Sequence, residues 1–185
     1  MTGPDVQRLF LALWPGAAVR SALAEAQRHF PPGTGRAVNG ENLHITLVFL
    51  GSTPAERRRC IEEALAGIEI PSFNLHLDQL GYWRKPQVLW VGSDIVPAPL
   101  TALADMATKA AAQCGCELEI RPYQPHLTLF RKVGKPPRDM PLMAPILWPA
   151  DSFVLVESVT APGGVSYKVL KTWPLASEAA DSVSG

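Results

Sequence analysis

The sequence predicts an α+β fold in one domain. Three observations lead there. Strand-like segments, apolar throughout or alternating with period 2, are interleaved with about three helical segments. Consecutive strands such as 72–80 and 87–91 follow each other with no room for a crossover helix, which calls for antiparallel pairing. The composition, 47% hydrophobic and 18% charged over 185 residues, is that of a globular chain long enough for one core.

Segment 7–14 reads as the first strand. Pro15, Gly16 and Arg20 interrupt the apolar run that continues from it, so it does not read as a signal peptide. Segment 15–30 is a helix, with Val19, Leu23, Ala26 and Phe30 near one face. Segment 31–40 is a loop by composition, and 43–51 an apolar strand. Thr53 is expected to cap the next helix, with Pro54 at its first position and Glu56 completing a capping box. In 72–80, Phe73, Leu75 and Leu77 alternate with Asn74, His76 and Asp78, and 87–91 is its expected hairpin partner. An Ala-rich helix spans 97–115, with Gly115 as C-cap. Strands follow around 117–121, 126–132, 153–160 and 167–173. The proline-rich segment 133–149 reads as an excursion between strands, and the small polar tail from Ser177 as frayed.

One pattern occurs twice. His44-Ile45-Thr46-Leu47 and His126-Leu127-Thr128-Leu129 both read H-x-T-x with aliphatic residues at x, about half the chain apart. In a strand, residues i and i+2 share a face. Each motif therefore offers an imidazole and a hydroxyl on one face and buries aliphatics on the other. Two such strands put two His and two Thr around one cleft. With an ordinary pKa near ~6.5, one imidazole can act as base and the other as acid at neutral pH. The Thr hydroxyls can donate to phosphate oxygens where charge gathers. This set suits hydrolysis of a cyclic phosphodiester. It needs no metal or cofactor, and no metal-ligand spacing is visible.

The other signals are weaker. Lys+Arg and Asp+Glu both number 17, for a formal net charge of +0, which excludes a broad basic surface for long duplexes. A nucleic acid would be gripped locally, at an end. Cys60, Cys114 and Cys116 form no disulfide framework or zinc pattern and read as thiols of a reducing, cytoplasmic compartment. No run approaches the ~20 apolar residues of a membrane span. His29, in a helix's last turn, and His76, on an exposed strand face, read as structural. Tyr82 and Trp83 beside Arg84 and Lys85, and Tyr167, could stack on a base, although packing explains them better.

These residues resemble the 2H phosphoesterase superfamily, and more closely the bacterial RNA 2′,3′-cyclic phosphodiesterases, also called 2′-5′ RNA ligases. The resemblance covers nearly the whole chain. It rests on Arg8-Leu9-Phe10-Leu11-Ala12-Leu13, on Asn42 to Gly51 around the first motif, on Val88-Leu89-Trp90-Val91-Gly92, and on Pro125 to Arg131 around the second. It implies a bilobal, pseudo-two-fold domain over 1–176, with two antiparallel sheets flanking a central cleft, helices outside, and a tail over 177–185. It implies conversion of an RNA 2′,3′-cyclic phosphate to a 2′-phosphate, with 2′-5′ joining as the reverse reaction in vitro. His44 is then the proton donor, His126 the acceptor, and Arg131 holds phosphate. Simple alternation, however, places Arg131 on the face opposite His126, and Lys132 on the same face. The chain is expected to act as a monomer on an RNA end. The alternatives are a relative acting on a small cyclic nucleotide such as ADP-ribose 1″,2″-cyclic phosphate, an RNA-end binding module without chemistry, and a ligase, for which no nucleotide-binding motif is visible.

Overall fold

The computed structural model describes residues 6–119, 121–141 and 144–177. Strand β1 (Val6–Leu13) lies inside a long antiparallel sheet. Leu9, Leu11 and Leu13 point to one face and Phe10 and Ala12 to the other. β1 leads through α1 (Ala17–Arg28) and the two-residue β2 (Arg36–Ala37) to β3 (Ile45–Pro54), which returns beside it. β3 runs into α2 (Ala55–Leu65). Then come β4 (Phe73–Leu77), β5 (Gln79–Trp83), β6 (Val88–Gly92), α3 (Ala98–Gln113), β7 (Leu127–Arg131), β8 (Ile146–Ala150), β9 (Ser152–Ala161) and β10 (Gly164–Pro174). The long sheet has the order β10-β9-β1-β3-β7-β6-β5, with β2 also paired to β7. β4 and β8 form a separate two-stranded sheet.

The α+β class with antiparallel pairing is as the sequence predicts, but the two sheets that the resemblance implies are two halves of one continuous sheet. The two halves, β10-β9-β1-β3 and β7-β6-β5, meet at one residue pair, Ile45 opposite Leu127. One core runs beneath both. Leu9, Ile45, Leu89, Leu127 and Leu155 from the sheet are fully buried with Leu23 of α1, Ile61 of α2, Leu103 of α3 and Leu75 of β4. Each such side chain contributes roughly 1.5–3 kcal/mol by leaving water. All three helices give residues to this core, so the opposite face of the sheet is left to the motifs.

Several local expectations are corrected. Segment 72–80 is broken at Asp78, whose carboxylate accepts from the Asp94 backbone N–H at 2.9 Å. The hairpin is therefore β5–β6, and β4 pairs with β8, inside the expected proline-rich excursion. Residues 117–119 and 121 form no strand. Thr53 does not cap α2: it is buried at the end of β3 and its hydroxyl donates to Gly51 O at 3.1 Å, leaving Pro54 in the cap position. Cys60 and Cys114 form a disulfide. They are 54 residues apart, and only the packing of α2 beside α3 brings their Cα atoms to 5.8 Å; Cys116 is free and buried. The expectation of a frayed tail over 177–185 lies, apart from Ser177, outside the described residues. Among the described residues, no helix is long and apolar enough to cross a membrane.

Candidate active site

His44 and His126 stand in matching positions. Each lies one residue before its strand, β3 or β7, rather than inside it. The residues before them, Leu43 and Pro125, are buried and anchor the chain where it enters each strand. Each ring donates from Nδ1 to the carbonyl two residues back: His44 to Asn42 O at 2.7 Å, His126 to Gln124 O at 2.9 Å. That bond fixes ring orientation and tautomer, so in both neutral imidazoles Nε2 carries the lone pair.

The seam sets the geometry between them. Ile45 and Leu127 face each other across an antiparallel pair and are both fully buried. Residues on either side of a paired position point the other way. His44, Thr46, His126 and Thr128 therefore share the face opposite the core. The Thr46 and Thr128 side chains are half-buried.

The strands then do something alternation does not predict. Against β6, Leu127 pairs with Val91 and Thr128 with Trp90, but the next pair is Phe130 with Leu89, so Leu129 is an extra, bulged residue. Against β1, Thr46 pairs with Ala12 and Val48 with Leu11, so Leu47 is extra at the same motif position. A bulge shifts every later residue to the other face. It sends Phe130 and Val48 to the core and returns Arg131 and Phe49 to the motif face. Gln27 supports the bulge in β7, with Nε2 donating to Leu129 O at 2.9 Å and to Val38 O at 3.0 Å. Lys132 leaves the strand with φ 56 and turns outward.

Aromatic rings enclose both imidazoles. His44 stacks on Trp14 (centroids 5.4 Å, 13° between planes), with Phe10 at 4.9 Å and the edge of Tyr167 at 5.1 Å. His126 meets Trp83 edge-on at 4.4 Å, with Trp90 at 6.4 Å. Trp90 lies across Gly81 on the neighbouring strand, where a Cβ would sit 2.1 Å from its ring. Trp83 and Tyr167 were visible in the sequence as candidates. Phe10, Trp14 and Trp90 were not. The shared parity of positions 10, 12 and 14, and a glycine opposite a tryptophan, are the signals that could have found them. Tyr82 is a packing residue whose hydroxyl donates to Val133 O at 2.7 Å.

This enclosure disfavours charge. Burial pushes the His44 pKa from its ordinary 6.5 down to about 4, and the charges of Arg131 and His126 add to that; only the Asn42 carbonyl opposes it. His126 is lowered too, first by burial, then by Arg121 and Arg131, against the Gln124 carbonyl. Arg131 thus acts on both rings, in keeping with its return to their face. Among the described residues, no three His, Cys, Asp or Glu side chains are grouped to hold a metal.

Two His-x-Thr motifs thus face each other across one seam, with an arginine on the same face. The sequence model of the 2′-5′ RNA ligase superfamily matches residues 14–160, and the chain belongs to that superfamily. It is 36% identical over 172 residues to the RNA 2′,3′-cyclic phosphodiesterase of Escherichia coli, covering 92% of this chain and 98% of that one. It is 32% identical over 184 residues to the protein of the same name from Thermus thermophilus, covering 92% and 91%. Among solved structures, E. coli LigT complexed with 3′-AMP superposes with a TM-score of 0.87 at 36% identity, covering 92% and 99%.

Proposed function

We propose that this protein opens 2′,3′-cyclic phosphate ends on RNA to 2′-phosphates, without a metal. The observation that carries the reading is the pair of imidazoles on one face, each with Nδ1 committed to a carbonyl and Nε2 open, under the charge of Arg131. The names of the relatives support the substrate class.

In the free chain both rings are held toward neutrality, so the acid takes up a proton from solvent as the substrate anion binds. A phosphate anion between the rings and Arg131 offsets the arginine's charge and raises both proton affinities. His44, the donor that the family resemblance implies, delivers it from Nε2 to the departing 3′-oxygen. His126, the acceptor that the same resemblance implies, takes a proton from the water that attacks phosphorus. The new P–O bond comes from that water, the P–O3′ bond breaks, and the phosphate stays on the 2′-oxygen. Thr46 and Thr128 donate to the non-bridging oxygens, and Arg131 balances their charge.

In this reading the protein acts as a monomer in the cytoplasm, and a thiol count on freshly isolated protein reports how far Cys60 and Cys114 are oxidised there. The deciding experiment is hydrolysis of a short RNA with a 2′,3′-cyclic phosphate end in the presence of EDTA, with the product identified. A 2′-phosphate is expected. A 3′-phosphate, loss of activity restored by metal, or turnover restricted to small cyclic nucleotides would overturn it.

A further inference from the structure

The strand β2 has two residues, and one of them places a second guanidinium on the motif face. Arg36 is the direct partner of Arg131 across the β2–β7 pair. Directly paired residues share a face, and the bulge at Leu129 has put Arg131 on the motif face. The approach is close: at Gly35 a Cβ would lie 2.8 Å from Arg131 O, so only glycine lets β2 sit against β7 there. The Arg36 guanidinium extends toward the tip of the β9–β10 hairpin, with Nη2 3.7 Å from where a Gly164 Cβ would stand. Asn42, next to the first motif, ties that hairpin down by donating from Nδ2 to Val165 O at 3.2 Å. Arg36 thus lies between the second-motif strand and the hairpin that carries Tyr167.

Two like charges directly opposite on neighbouring strands repel. Among the described residues, the ion pairs are Arg20–Glu41, Arg28–Glu25, Arg58–Glu62, Arg121–Glu119 and Lys171–Glu62, and none involves Arg36 or Arg131. Both are exposed. A cross-strand arginine pair without an internal carboxylate is suited to an external ligand with two negative charges in sequence. A mononucleotide cyclic phosphate has one. The end of an RNA strand has the terminal cyclic phosphate and, one nucleotide back, an internal phosphodiester.

We propose that Arg36 binds the internal phosphodiester on the 5′ side of the terminal nucleotide, so that the preferred substrate is an oligonucleotide end rather than a cyclic mononucleotide. This rests on the function proposed above and assigns Arg36 a role separate from the chemistry. It also explains how a chain with no net charge holds RNA, by two local phosphate grips in place of a basic surface.

The test compares Arg36→Ala and Arg36→Glu with the wild type. Binding is measured for a dinucleotide 2′-phosphate and for a mononucleotide 2′-phosphate; kcat/KM is measured for the matching cyclic phosphates. Removing one charge-assisted hydrogen bond to phosphate lowers the dinucleotide-over-mononucleotide preference by about 10-fold or more in Arg36→Ala, and further in Arg36→Glu. The salt slope of dinucleotide binding should fall by about 0.7, the value for one phosphate on a single strand. An unchanged preference, or equal weakening toward both ligands, would overturn the proposal. The binding arm judges Arg36 even if the wild type turns over neither cyclic phosphate, a result that would remove the proposed reaction instead.

Discussion

Burial of His44 makes stability depend on acid in a way that can be read residue by residue. The ring's pKa is lowered from 6.5 to about 4 on folding. One pKa unit is worth about 1.4 kcal/mol, so the charged form is disfavoured in the folded chain by about 3 kcal/mol. The unfolded chain binds the extra proton between those two values. Stability therefore rises with pH across the window, is complete above pH 6.5, and is lost progressively as pH falls toward 4, with no further loss from this group below it. His126 is shifted in the same direction. Glu62, lowered by the side chains of Arg58 and Lys171 despite burial that opposes them, adds a loss below its ordinary 4.5. The perturbation is His44→Asn, which removes the titrating ring. Urea unfolding at intervals from pH 7.5 to 4 gives the free energy of both proteins. The variant is expected to be less stable at neutral pH, because the packing against Trp14 and Phe10 is reduced. Its deficit should narrow by about 2–3 kcal/mol on acidification. Parallel curves for the two proteins would refute the claim that His44 is folded as a desolvated neutral ring.

The remaining expectations concern the chemistry and its supports. His44→Ala and His126→Ala should each lower kcat by about 10²–10⁴, measured on a cyclic-phosphate RNA, if each transfers a proton; full activity in either variant removes that ring from the mechanism. Thr46→Val and Thr128→Val should each cost about 1.5–3 kcal/mol of transition-state binding, read from kcat/KM. Gly81→Ala should displace Trp90, whose ring lies 2.1 Å from the added Cβ, lowering both Tm and activity; unchanged activity would show that Trp90 has no part in positioning His126. Reducing Cys60–Cys114, or Cys60→Ser, should cost about 4 kcal/mol by the loop-closure relation for its separation of 54 residues. Thermal unfolding of reduced and oxidised protein measures this, and kcat should hardly change, since the bridge joins helices on the core side.

What could be read in the sequence was local and periodic. The two motifs, the Val19 and Leu23 face of α1, and the Gly115 helix end, where φ is +79, all follow from patterns a few residues long. What escaped depends on partners far away. The pairing of Leu75 with Trp148 in β4–β8 was hidden because 133–149 looks irregular by itself. The capping box at Thr53 failed because tertiary packing extended β3 and gave the hydroxyl another acceptor. Alternation alone put Arg131 on the wrong face because a bulge is a property of two strands, visible only once β7 is set against β6. The disulfide escaped for the same reason.

The join between Ile45 and Leu127 has a mechanical consequence. A long ladder holds strands by many hydrogen bonds, whereas β3 and β7 share one residue pair, and the halves are held mainly by the core packed beneath both. Each half carries one imidazole and one hydroxyl, so the spacing of the two rings rests on the packing under this rung. The two side chains at the rung, Ile45 and Leu127, are both fully buried. A change of volume at either is therefore expected to alter the spacing of the two imidazoles without removing any residue of the motif face.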